Sequence, residues 1–290
     1  MFNCTYIICI GSDCQKGDWQ SHKRACKRQN FLLRVQLAPH EILNPPISRT
    51  LSCPAGATFL EFHKALQIAF GWASTHCYDF KVKDPVAEAE ADAAERTEDM
   101  ASCIARMTRT MSPGDDGSSN RRYILRIVDE QPRGPGGFYS GIGVDAMYDR
   151  QRKHAQTPQS MSHKVRLHNV FERDQYQNLL FEYEYDFGDR WCHDIKLLGR
   201  RDATDFFMCT DGEGHGCAED VGSVDGWQNL KKAHRATNPT DEQREKMHWY
   251  ETMASNSDSQ GLGGGRDRVW AKGMINRKLG EFSGQAISFS

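Results

Sequence analysis

No stretch of this chain is apolar for long enough to cross a bilayer, which takes ~20 consecutive residues in a helix. Tyr6-Ile7-Ile8-Cys9-Ile10 is the nearest approach to a secretory signal, and it is too short and too weakly charged in front. A charge of one sign is missing too: the formal net charge is -2, so nothing global draws the protein to nucleic acid or to an anionic membrane. Apolar residues are scarce, at 38%, and mean hydropathy is low at -0.69. Part of the length is therefore expected to be solvated rather than packed. The chain of 290 residues is still long enough for one large domain and a small one. It reads as a soluble, intracellular α+β protein without a membrane segment.

Cysteine is not scarce. Five metal-ligating residues, Cys4, Cys9, Cys14, His22 and Cys26, crowd into the first thirty positions. Clustering with histidine reads as metal binding in a reducing compartment rather than as disulfides. Gln15 to Arg28 has helical character, and His22 and Cys26 stand one turn apart on the same side. A histidine and a cysteine so placed suit one tetrahedral zinc ion.

From Cys14 to Cys26 the run Cys-Gln-Lys-Gly-Asp-Trp-Gln-Ser-His-Lys-Arg-Ala-Cys resembles the C-terminal half of a MYND-type zinc finger. Residues 1–28 are accordingly taken as a partial finger that the chain enters midway. The family uses eight ligands on two zinc ions. Cys4 falls at the spacing of the fourth ligand, and Cys9 stands one residue before the fifth, where Ile10 lies. A zinc site drawn from Cys4, Cys9, Cys14, His22 and Cys26 is expected. The resemblance implies a protein-interaction role, with proline-containing partner segments. Lys16, Lys23, Arg24, Lys27 and Arg28 add a basic face, which opens a nucleic-acid reading beside that of a solvated helix.

Beyond the finger the pattern is strand, strand, helix, strand. Phe31 to Leu37 alternates, and Ile47 to Cys53 partners it across Pro45-Pro46. Thr58 and Glu61 form a capping box, Phe59, Phe62, Leu66 and Phe70 repeat at helical spacing, and Gly71 ends the helix. Cys77 to Val82 is a further strand. Residues 85–163 are polar and rich in glycine and serine, and read as a low-complexity, largely disordered insertion; Tyr123 to Val128 offers one short strand there.

The clearest hairpin follows. From Phe181 to Phe187 aromatic and acidic residues alternate, and Trp191, His193, Ile195 and Leu197 alternate after the break. A loop of Gly188-Asp189-Arg190 keeps the aromatic faces together and sets Tyr185 opposite His193. Cys209 to Gly222 reads as a tight acidic surface loop. Helices are expected over Asp225 to Ala236 and, capped by Thr240, up to Met253, with a last short element from Val269.

These landmarks resemble the plasmid pRiA4b ORF-3-like family. The carrying pieces are Cys53-Pro54-Ala55-Gly56-Ala57-Thr58-Phe59, Phe70-Gly71-Trp72 and Tyr183 through His193, then Asp211-Gly212-Glu213-Gly214, Glu219-Asp220-Val221-Gly222 and Asp225-Gly226-Trp227. The resemblance covers residues 31–84 and 164–280 and implies an α+β fold, with no settled activity.

Two chemistries are open around the hairpin. Cys209, His215 and Cys217 with His193 have the ligand chemistry of a second zinc site. Asp186, Asp189, Glu219 and Asp220, with His193, have that of a hard-cation or acid–base site in a cleft between residues 181–197 and 209–222, and His76 is a further candidate with no chemistry assigned to it. The structural alternative is that Asp186 and Asp189 bond loop amides while His193 packs on Tyr185. Three functions follow in order: a zinc-binding adaptor, a metal-dependent or acid–base enzyme, and a nucleic-acid-binding protein.

Overall fold

The computed structural model describes residues 28–38, 42, 44–97, 123–128 and 157–284. Eight strands form one mixed sheet. In chain order they are β1 (Asn30–Ala38), β2 (Ser48–Cys53), β3 (Tyr78–Lys83), β4 (Tyr123–Val128), β5 (Gln159–Met161), β6 (Leu180–Tyr185), β7 (Trp191–Arg201) and β8 (Met208–Glu213). Their spatial order is β5-β4-β3-β6-β7-β1-β2-β8. The β4–β5 pair is parallel and the other neighbours are antiparallel. The helices are α1 (Phe59–Phe70), α2 (Pro85–Thr97), α3 (His168–Phe171), α4 (Ser223–Arg235), α5 (Asp241–Thr252) and α6 (Lys272–Phe282). The α+β expectation is met.

Helix α1 forms where its caps say it should. The Thr58 hydroxyl accepts from the Glu61 amide, the Glu61 carboxylate accepts from the Thr58 amide, and Gly71 closes the far end at φ 77. Its apolar side settles on the aromatic face of the sheet: Phe59 and Phe62 lie 4.9 and 5.5 Å from Phe80, and Phe70 lies 4.8 Å from His193. The strands supply that face by alternation, with Tyr78, Phe80 and Val82 from β3, Tyr183 and Tyr185 from β6, and Trp191 and Ile195 from β7.

The alternate residues of the same strands build a buried charged layer on the other face. Arg126 pairs with Asp79 at 2.7 Å, Lys83 with Glu182 at 2.6 Å, and Lys81 with Glu182 at 3.0 Å and with Glu184. Burial pulls the Lys81 ammonium down, but Asp79, Glu184 and Glu182 outweigh it and hold the group well above its ordinary range. The signal for this layer lay in β3 and β6 together, since both alternate aromatic with charged residues and the charges are opposite.

Three expectations need correction. The β6–β7 register pairs Tyr183 with His193 and Tyr185 with Trp191, two residues from the expected pairing, so the turn is the five residues Asp186–Arg190. The faces are as expected, because a slip of two preserves parity. Residues 209–213, the first part of the loop expected over 209–222, belong to the edge strand β8 on β2. Within 85–163, expected to be largely disordered, residues 85–97 are helical and β5 joins the sheet beside β4, while β4 itself is the one short strand expected there.

Candidate metal centre

Three loops meet at one end of the β6–β7 hairpin. Trp72–Cys77 leads from α1 to β3, Asp186–Arg190 is the hairpin turn, and Cys217–Gly222 leads into α4. Asp186 sets the turn: its backbone is left-handed at φ 57, its carbonyl accepts from the Arg190 amide at 2.6 Å, and its amide donates to Cys77 O at 3.0 Å. One carboxylate oxygen, Oδ1, accepts from the Gly188 amide at 2.9 Å and the Asp189 amide at 3.3 Å. The other, Oδ2, is left facing His76.

His76 stands between two carboxylates. Its Nε2 is 3.1 Å from Asp220 Oδ1 and 3.7 Å from Asp186 Oδ2. Exposure grades across the three side chains, from 5% at Asp186 through 19% at His76 to 53% at Asp220. The group is thus anchored in protein at one side and open to solvent at the other. Burial pushes the Asp186 carboxyl above its ordinary value, against the pull of His76. A positive ion beside it reverses that cost.

Beneath the triad a second set of bonds holds the loops in place. Glu219 is fully buried and accepts from Tyr185 Oη at 2.6 Å, the Ala73 amide at 3.0 Å and Thr75 Oγ1 at 3.3 Å. Burial and then Glu219 raise the Tyr185 phenol above its usual range. Asn256 donates to Cys217 O at 2.8 Å and accepts from the Glu219 amide at 2.8 Å. Asp189 Oδ2 accepts from the Gly222 amide at 3.1 Å, tying the hairpin turn to the start of α4. Glu219 and Asp189 are therefore occupied in positioning, and Asp186 Oδ2 and Asp220 Oδ1 are the carboxylate oxygens that face His76.

Ligand atoms of His76, Asp186 and Asp220 lie within 4.8 Å of one another. Among the described residues one other such group exists, Glu182, Glu184 and Cys192, but Lys81 and Lys83 already neutralise its carboxylates. Neither group contains the soft-ligand set. Cys209 lies in β8 with its amide and carbonyl both bonded to Asn276, and burial pushes its thiol up to about 11. Cys217 is buried in the core. His215 reaches Asp258 at 3.3 Å, on the side of the residues that follow α5. His193 is fully buried, ringed by Phe70, Trp72 and Tyr183 at 4.8, 5.1 and 5.5 Å, and burial lowers it to about 4. It does not join Asp186 or Glu219, as the acid–base expectation required. The finger residues Cys4, Cys9, Cys14, His22 and Cys26 lie outside the described residues.

Sequence reasoning missed Arg49. This buried guanidinium donates to Ala69 O, Ser48 O, Glu213 O and Gly214 O at 2.7–2.9 Å, between the rings of Phe70 and Trp270. It clips the end of α1 to the strand that leads into the site loops. The signal was parity, since Arg49 shares the inward face with Leu51 and Cys53.

Fold and site together define a mixed-sheet α+β domain with a histidine–carboxylate group at one end of its central hairpin. The family model described as plasmid pRiA4b ORF-3-like protein matches residues 29–259, and the chain belongs to that family. A solved structure, described as a protein of unknown function from Methanosarcina mazei Go1, is similar at 18% identity and a TM-score of 0.47. The similarity covers 77% of this chain and 89% of that one. A comparison with curated proteins finds no match. No helix among the described residues is long and apolar enough to cross a membrane.

Proposed function

We propose that this domain is a divalent-metal module in which His76, Asp186 and Asp220 hold one cation and leave its outward positions to water or substrate. The observation that carries the reading is the placement of His76 Nε2 at 3.1 and 3.7 Å from two carboxylates that no lysine or arginine neutralises among the described residues. One nitrogen and two oxygens suit Mn²⁺ or Zn²⁺, and three protein ligands with open positions are the mark of reactive rather than structural sites. The cation would polarise an oxygen of a bound substrate or acidify a bound water. Glu219, Tyr185 and Asp189 keep the three loops in register for it. The test is titration of the full chain with Mn²⁺, a poor match for thiolates, read by loss of the free-ion paramagnetic resonance signal. One equivalent should bind, and Asp186→Asn should weaken binding by about tenfold or more while Cys26→Ser leaves it unchanged. Absence of saturable binding, or equal binding by Asp186→Asn, refutes the reading and leaves His76 as the cation of a plain ion-pair cluster.

A second reading is supported by the Cys14-to-Cys26 pattern: zinc held by four of Cys4, Cys9, Cys14, His22 and Cys26, with the chain serving as an adaptor for proline-containing partner segments. Zinc content of the purified full chain tests it. Loss of one equivalent in Cys26→Ser is expected; a protein without zinc that still captures proline-containing peptides argues against it.

A further inference from the structure

Away from the hairpin turn, a cavity of about 660 Å³ opens beside the first turns of α1. Its size falls in the range of small-molecule sites, roughly 300–1,000 Å³. One wall is the run Pro54-Ala55-Gly56-Ala57, whose small side chains create the concavity; a Cβ added at Gly56 meets nothing within 4 Å. Two aromatic rings, Phe207 and Phe282, are among its lining. Phe207 is 3% exposed, stacks on Phe62 at 6.4 Å and faces Phe282 at 6.4 Å.

The rim carries charge of both signs, with three cations to two carboxylates. Arg28, Lys64 and Arg166 line it, against Glu61 and Asp205. One oxygen of the Glu61 carboxylate, Oε2, accepts from both the Thr58 amide and the Thr58 hydroxyl, which holds the group at the head of α1. Arg28 lies 3.5 Å from Glu172, and Arg166 donates to Gly56 O. Lys64 has no ion-pair or hydrogen-bond partner among the described residues. The amides at the head of α1 are spent as well: Phe59 N donates to Val165 O and Leu60 N to Ser162 O. Recognition of a head group therefore falls on the exposed Lys64 ammonium rather than on the helix end or on Arg28 and Arg166, which already have partners.

We propose that this cavity binds a small organic anion with an aromatic body, the ring against Phe207 and Phe282 and the carboxylate or phosphate at Lys64. The site is independent of His76, Asp186 and Asp220. Isothermal titration of the full chain with phenyl phosphate, benzoate, inorganic phosphate and benzyl alcohol tests it. At least one of the two aromatic anions should bind saturably and about tenfold tighter than inorganic phosphate or benzyl alcohol, and their order identifies the head group. Lys64→Glu should weaken that binding about tenfold or more. Gly56→Leu, which fills open space, should abolish it with thermal unfolding unchanged. Absence of saturable binding up to roughly 10 mM, or binding that both variants leave intact, overturns the proposal.

Discussion

Tyr185 donates its hydroxyl to Glu219 across 2.6 Å, joining the last residue of β6 to the loop that precedes α4. The same hydroxyl accepts from the amides of Thr75 and His76 at 3.1 and 3.4 Å. One phenol thereby sets the positions of all three loops around the His76 group.

Glu219→Ala removes a buried acceptor from Tyr185 and a partly exposed one from Thr75 and the Ala73 amide, which water can replace. The stranded Tyr185 hydroxyl costs about 1–3 kcal/mol, and a loss of that size is expected in urea denaturation. Glu219→Gln keeps part of the acceptor capacity and should cost less. A wild-type midpoint for Glu219→Ala contradicts the positioning role.

Acid should weaken the fold through two buried imidazoles. Burial lowers His63 to about 3 and His193 to about 4, so both are neutral in the folded protein, while an unfolded histidine titrates near 6.5. Between those values the unfolded chain binds more protons than the native one. The stabilisation is complete above about 6.5 and is lost as pH falls, by up to about 1.4 kcal/mol per pH unit for each imidazole. Denaturant midpoints at neutral and mildly acidic pH measure the slope, and His193→Phe should flatten it. An unchanged slope in that variant removes His193 from the account.

Gly216 passes against the end of α1, where an added Cβ would sit 1.8 Å from Phe70 O. Gly216→Ala forces backbone apart and should cost more than about 2 kcal/mol, whereas Gly56→Ala should be nearly neutral. Thermal unfolding of the pair decides; equal melting temperatures would show that the two backbones do not approach as described.

The charged layer makes a paired prediction. Lys81→Met leaves Glu184 buried without its close ammonium, while Asp79 keeps Arg126, and should cost about 3–5 kcal/mol. Lys81→Met with Glu184→Leu should recover much of that loss, because the uncompensated carboxylate goes with the cation. Failure of the double variant to recover would show that the layer is held by contacts other than this pair.

Local chemistry made much of the fold legible. Thr58, Glu61 and Gly71 bound α1 because caps are read over three or four residues, and the Tyr183–Trp191 faces followed from period-two alternation. The hairpin register did not follow, because Asp186 and Arg190 take the left-handed positions of the turn rather than Gly188. Strand β8 was hidden by its glycine: Gly212 packs where a Cβ would lie 3.1 Å from Trp270, a contact set by distant chain. The candidate site was half legible. Its acids were picked out by type, but the partnership of His76 with Asp220 joins segments far apart in sequence, and His193, which looked the better ligand, is core.

The central claim is that His76, Asp186 and Asp220 hold one divalent cation. An anomalous difference map from crystals of the full chain grown with Mn²⁺, collected near the manganese absorption edge, tests it most directly. A peak within about 2.0–2.3 Å of His76 Nε2 and of oxygens from Asp186 and Asp220 is predicted; a map with no peak among these three side chains contradicts it.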